Sequence, residues 1–358
     1  MASNTIYPLL FENNLHTIVW GGERIAKWKN IDTTKEDNKN QDLDYAHIGE
    51  SWEVSAVPSS MSVVSNGIHA GRNLTDVIAE HPVEILGESV ATQYGNKLPL
   101  LVKFIDANKD LSIQVHPDDE MAQQEHGKFG KTEMWYVIDA KPGAYLYAGF
   151  KNELTPEEYK RKVEDGTITD ALAKHEVKKG DVFYIPAGRV HAICEGVFIA
   201  EVQQSSDVTY RIYDYNRPGM DGKPRELHTE LAAKALDYKV HDEYRTIYAD
   251  KNACANRCID SPFFNVRVVD IDAPFHRNLI KYDSFIISMC IKGNCTLKMR
   301  SSGDEIVLKE GNSCLIPASI ADYDVIPEDK VQLLDAFINN KNENIINKIT
   351  RFLHLTAK

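Results

Sequence analysis

Gly180-Asp-Val-Phe-Tyr-Ile-Pro-Ala187 returns later in the chain as Gly311-Asn-Ser-Cys-Leu-Ile-Pro-Ala318. In both copies a glycine opens a mainly apolar run that closes on Ile-Pro-Ala, with the proline six positions after the glycine. Upstream, Met134 to Gly143 corresponds to Phe285 to Gly293, so a second strand pattern repeats with the first. Eleven positions after the glycine the first copy carries His191 and the second Asp322. Ser284 takes the place of Glu133, and no Gln-x-His pair precedes it. A duplicated strand unit predicts a mainly β chain of two similar barrels, with metal ligands in the first alone. The expected division is residues 1–240 and 241–358.

The first unit concentrates the chemistry. Leu111-Ser-Ile-Gln-Val-His116 alternates like a strand, so Gln114 and His116 share a face. Glu133 opens the apolar run Met134 to Ile138, and His191 closes the run that starts at Val182. Three strand ends of one small barrel can aim these side chains at one point. Two imidazoles, a carboxylate and an amide oxygen suit a borderline divalent metal such as Zn2+, one per chain, with a position left for substrate. A lone histidine is more often a surface or satisfied core group. Here each of the four residues stands at a strand end and none suits an apolar core.

Two other motifs fail on context. Gly130-Lys-Thr132 resembles the end of a phosphate-binding P-loop, but position 125 is glutamate and a strand follows instead of a helix. Cys254-x3-Cys258 lacks a second pair of suitable spacing for a zinc knuckle. The cysteines read as small buried hydrophobes of a reduced compartment.

Composition sets outer bounds. A chain of 358 residues, 43% apolar and 26% charged, is an ordinary soluble protein with ample core. A net charge of −12 argues against nucleic-acid or anionic-membrane partners. Nothing at Met1 to Leu10 resembles a secretory leader and no apolar run of membrane-spanning length occurs, which predicts a cytoplasmic protein. Lys29 to Asp44 reads as a charged loop. Helical segments are expected at about 74–94, broken at Pro82, and at 152–175. Within the second, Thr155-Pro-Glu-Glu158 forms a capping box, and a further short helix is expected over Thr169 to Lys174.

Leu111-Ser-Ile-Gln-Val-His-Pro-Asp118, Gly130-Lys-Thr-Glu-Met-Trp135 and Pro186-Ala-Gly-Arg-Val-His191 together resemble the signatures of type I mannose-6-phosphate isomerases, which are zinc cupins. Glu201 to Arg217, Trp20-Gly-Gly22 and Glu50-Ser-Trp-Glu53 continue the likeness, and the length is that of the short bacterial form. The resemblance implies a bicupin-like double β-barrel of jelly-roll type with one working site. It implies an aldose–ketose isomerase of carbohydrate metabolism. Its substrate would be a sugar phosphate, and the chain a monomer or weak homo-oligomer.

Such an isomerisation moves one proton between adjacent carbons and another between their oxygens, through a cis-enediol. A divalent metal stabilises charge developing on oxygen, and a nearby base carries the carbon proton. Lys131, two residues before Glu133, is the expected acid/base. Glu201, a carboxylate among apolar residues, is either a second proton shuttle or a structural partner of Arg211. Arg211 and Arg217 offer guanidinium forks to a phosphate, and Ser112 lies two before Gln114 on the same face. By resemblance Arg211 takes the family's active-site arginine, and Arg217 a basic position where relatives carry lysine. His126 and Lys128 read as surface groups.

Two other function classes fit the sequence less well. A cupin oxygenase usually offers two histidines at the first pair and an acidic residue soon after; here Gln114 stands first, and Glu133 follows His116 distantly. A non-catalytic sugar-binding cupin would predict loss of Lys131 and Glu133, and both are present.

Overall fold

The computed structural model describes residues 6–32, 43–249 and 251–339; most of the charged loop read between Lys29 and Asp44 lies outside them. Strands dominate, and they pair antiparallel throughout. Among the described residues four sheets carry them. A seven-stranded sheet runs in the order Arg245–Thr246, Val182–Ile185, Glu133–Ala140, Val197–Gln204, Leu100–Asp106, Ile48–Val54, Leu15–Gly22. A five-stranded sheet runs Tyr210–Tyr213, Ile113–Val115, His191–Ile193, Tyr145–Phe150, Leu172–Glu176. The later part of the chain supplies most of a six-stranded and all of a four-stranded sheet. The six-stranded sheet borrows Leu9–Leu10, which pairs with Cys314 and Leu315.

Strand alternation decides which layer each side chain serves. From Glu133–Ala140, Met134, Tyr136 and Ile138 pack with Val266, Val268, Ile287 and Leu334 of the six-stranded sheet. The alternate residues Trp135 and Val137 pack with Leu146, Ala148 and Ile193 of the five-stranded sheet. Both faces of the seven-stranded sheet are therefore covered. This is why Leu100–Asp106 and Val197–Gln204 are buried along their whole length. The outer face of the five-stranded sheet is roofed by the helices Pro156–Glu164 and Thr229–Ala235 through Tyr159 and Ala232. No described helix is long and apolar enough to cross a membrane.

Several expectations need correction. The stretch 74–94 holds three helices, Leu74–Glu80, Pro82–Leu86 and Glu88–Tyr94. The additional break falls at Gly87, with φ of 90°, where a side chain would sit 2.2 Å from the Asp283 carbonyl. The Asp283 carboxylate also accepts from the Glu88 and Ser89 amides, tying this helix to the later sheets. The capping box at Thr155 forms as read. Beyond it, the short helix expected over Thr169 to Lys174 is present only as a 3-10 helix at Ile168–Ala171, which gives way to the strand Leu172–Glu176, extending the five-stranded sheet beside Tyr145–Phe150. The run from Val182 also does not reach His191. It ends at Ile185, and His191 opens a new strand in the other sheet.

The register refines the repeat. Glu133 faces Ile185, whereas Ile286, not Ser284, faces the repeat-equivalent Ile316. Asp322 is half-exposed and bonded to His276 at 2.6 Å, so it takes no part in an interior cluster.

Candidate metal centre and cleft

Gln114 and His191 face each other directly in the five-stranded sheet, and Arg211 faces Gln114 from the other side. His116 follows that strand by one residue, and Glu133 reaches in from the seven-stranded sheet opposite. His116 Nε2 lies 3.4 Å and His191 Nε2 3.3 Å from the two Glu133 oxygens, with all three side chains 1% exposed. The two imidazole centroids are 4.8 Å apart.

The outer nitrogens fix the rings. His116 Nδ1 bonds to the Val208 carbonyl at 3.0 Å and His191 Nδ1 to the Arg189 carbonyl at 2.8 Å. A ring that donates through Nδ1 presents Nε2 as a lone-pair acceptor, the form a metal ligand needs. No hydrogen bond satisfies His116 Nε2, His191 Nε2 or either Glu133 oxygen, and all four atoms are buried. Buried polar atoms are otherwise nearly always paired. Among the described residues, this trio forms a group able to hold a cation, its ligand atoms within 4.8 Å of one another. The donor set fits a divalent metal.

Electrostatics agree with neutral imidazoles. Burial, then Lys131 and His191, hold His116 well below the ordinary histidine value. Burial lowers His191 too, with Glu133 opposing.

Beside the trio opens a cleft of about 180 Å³. Ser112, Gln114, Lys131, Glu201 and Arg211 all line it. Lys131 Nζ is 3.8 Å from Glu133 Oε2. Glu201 is not partnered by Arg211. Its Oε1 accepts from the Trp135 indole at 2.9 Å, and its Oε2 is 3.6 Å from Lys103 Nζ. Burial, then the Glu133 charge, push the Glu201 carboxyl above its usual range. Arg217 is absent from the lining and bonds Asp214 instead, at 2.9 Å. His126 and Lys128 stay outside the cleft, bonded to Tyr210 and Asp207.

Glu50 and Trp52, quoted above for the likeness but given no role, and Lys103 and Arg225, which sequence reasoning missed, all lie on the cleft wall. Lys103 bridges Glu50 at 3.3 Å as well as Glu201, and lies 4.5 Å over the Trp52 ring. Burial opposes its charge, but Glu50, Glu201 and Glu133 raise its pKa. A single lysine inside Leu100-Leu-Val-Lys-Phe-Ile-Asp106 was the available signal.

Known proteins carry the same plan. The family described as phosphomannose isomerase type I, catalytic domain, matches residues 9–176, and that of the mannose-6-phosphate isomerase cupin domain matches 256–331. The probable mannose-6-phosphate isomerase GmuF of Bacillus subtilis is 34% identical over 89% of this chain and 96% of its own length. The chain belongs to the type I phosphomannose isomerase family. The mannose-6-phosphate isomerase of Streptococcus mutans is 33% identical over 88% of this chain and 94% of its own length. Among solved structures, the Bacillus subtilis mannose 6-phosphate isomerase superposes with a TM-score of 0.81 at 30% identity, covering 92% of this chain and 99% of that one. Within this family the later sheets correspond to the cupin-domain match, and the His116–Glu133–His191 trio lies in the earlier ones.

Proposed function

We propose that the cleft interconverts mannose 6-phosphate and fructose 6-phosphate beside one divalent metal, zinc by ligand type, held by Gln114, His116, Glu133 and His191. Family membership makes the chain a mannose-6-phosphate isomerase. The observation that carries the metal reading is the set of four buried, unpartnered ligand atoms on His116, Glu133 and His191. When bound, such an ion withdraws charge from sugar oxygens and stabilises the negative charge that enolisation develops on them.

The chain's own groups then divide the work. Lys131 takes the proton from C2 of the open-chain aldose and returns it to C1, passing through the cis-enediol. Its place on the cleft wall beside Glu133 supports this role. Glu201, whose carboxyl burial and the Glu133 charge push above its usual range, shuttles the second proton between the two oxygens. Lys103, between Glu50 and Glu201, keeps that carboxylate pair from repelling. Ser112 and Arg211 take the phosphate end, where a hydroxyl and a guanidinium suit its oxygens.

The two sheet pairs each read as one cupin-like barrel, dividing near residue 240, with the second barrel lacking ligands. Ile286 in place of Glu133 and the outward Asp322 support that reading. A coupled assay for fructose 6-phosphate from mannose 6-phosphate, with and without chelator, tests the whole. Product from native protein and its loss on chelation are expected; no product from the metal-loaded chain overturns the assignment.

A further inference from the structure

The acidic chain must build a local cationic pocket for an anionic substrate, and it does so around one carboxylate. Asp214 follows the strand Tyr210–Tyr213 and is 5% exposed. The chain then turns through Tyr215 and Asn216, both left-handed with φ of 58° and 52°. That turn brings Arg217 back onto Asp214 Oδ1 through Nε at 3.1 Å and Nη2 at 2.9 Å. The loop closes on itself where the Gly219 amide donates to the Lys223 carbonyl, and Pro218 bridges Pro224. It returns Arg225 to the same carboxylate, with Nε on Oδ2 at 2.7 Å and Nη2 on Oδ1 at 2.6 Å.

The two arginines share an anchor but not a position. Arg225 lines the cleft with Ser112, Thr209 and Arg211, and Arg217 does not. Arg217 is spent on Asp214 and on the Tyr215 ring, 5.4 Å from its centroid. Arg225 binds Asp214 by one edge only; among the described residues no partner holds its Nη1. Just beyond it, the Glu226 carbonyl accepts from Arg211 Nη1, and His228 accepts from the Arg211 amide. The returning arm of the loop therefore lies against Arg211, whose Nε is buried without a partner. Burial, then the charge of Arg225, hold the Arg211 guanidinium below its ordinary value. Two cations lining one cleft favour an anion between or beside them.

We propose that Arg225, and not Arg217, is the second guanidinium of the phosphate end of this cleft, working beside Arg211 with Asp214 as its anchor. The inference rests on the sugar-phosphate reading above. It makes the loop from Asp214 to His228 a specificity element, because a neutral sugar lacks the anionic oxygens that a guanidinium binds in charge-assisted pairs.

The test compares Arg225→Ala, Arg225→Lys and Arg217→Ala, each checked for native circular dichroism and metal content. Two readouts are taken: KM for mannose 6-phosphate, and the concentration of inorganic phosphate that half-protects the protein against thermal unfolding. Arg225→Ala should raise both by about tenfold or more, the usual scale for losing a charged fork. Arg225→Lys should fall between that variant and the native protein, and Arg217→Ala should move each by less than about threefold. The reverse order, or native values in both Arg225 variants, overturns the proposal. If Arg225→Ala does not fold, native values in Arg225→Lys suffice to overturn it. Phosphate protection needs no turnover, so a chain inactive on mannose 6-phosphate would sink the substrate reading while still ranking the two arginines.

Discussion

The Trp135 indole donates to Glu201 Oε1 at 2.9 Å, between residues that face each other on neighbouring strands. A carboxylate that rarely sees water thus depends on one neutral donor and on Lys103. A hydrogen bond to the charged form favours it, so Trp135→Phe should raise the Glu201 pKa further. The acid limb of the kcat–pH profile should move upward relative to the native enzyme. An unmoved limb in a folded, metal-loaded variant would remove Glu201 from the proton path.

His191→Ala and Glu133→Ala should each abolish metal binding and nearly all turnover. With so few protein ligands, an open site cannot spare one. Elemental analysis after gel filtration checks this; wild-type metal content in either variant would show that the trio is not the metal site.

Lys131→Met should lower kcat by roughly 10²–10⁴-fold, the range for a positioned acid or base, without changing metal content. Near-native turnover would reassign the proton transfer, with Lys103 the next candidate on the cleft wall.

Chelated protein should lose stability as pH falls below about 6.5, the ordinary histidine value. Folded His116 and His191 titrate below their unfolded counterparts. In that window the unfolded chain binds more protons, so acid favours unfolding. Thermal melts between pH 5 and 8 give the sign directly; a melting temperature flat or rising toward acid contradicts neutral imidazoles.

Lys29→Met should destabilise the fold by about 3–5 kcal/mol, because it strands a buried charge. Lys29 Nζ bonds Glu53 Oε1 at 2.6 Å with side chains 3% and 5% exposed, and Ser51 and Ser313 also reach that carboxylate. Pairing it with Glu53→Gln should recover part of the loss. Urea denaturation reads both, and a single variant as stable as native would mean that the pair adds nothing.

Much of this was legible beforehand, and the reasons are local. Gln114 and His116 were readable because a strand's period of two is rigid, and Thr155 because a capping box is a short-range code. The repeat aligned Ser284 with Glu133, but a shift of two residues preserves strand parity, so only pairing distinguishes Ile286 from Ser284. The stretch 169–174 has too few residues for periodicity to place the end of its helix, and pairing beside Tyr145–Phe150 makes a strand from Leu172 onward. Arg225 sits in an aperiodic loop. Its importance comes from where the loop returns, which depends on Asp214 and on two left-handed residues rather than on spacing.

The pairing of Leu9–Leu10 with Cys314 and Leu315 also has a consequence during synthesis. Leu9–Leu10 finds its partner only after about three hundred further residues have been translated. The earlier sheets, sharing a continuous core with the six-stranded sheet, must wait with one apolar face uncovered. Such high sequence separation predicts slow folding and a nascent chain that needs chaperone shelter. Truncating the chain before the later strands of the six- and four-stranded sheets should therefore yield aggregates rather than a smaller working enzyme.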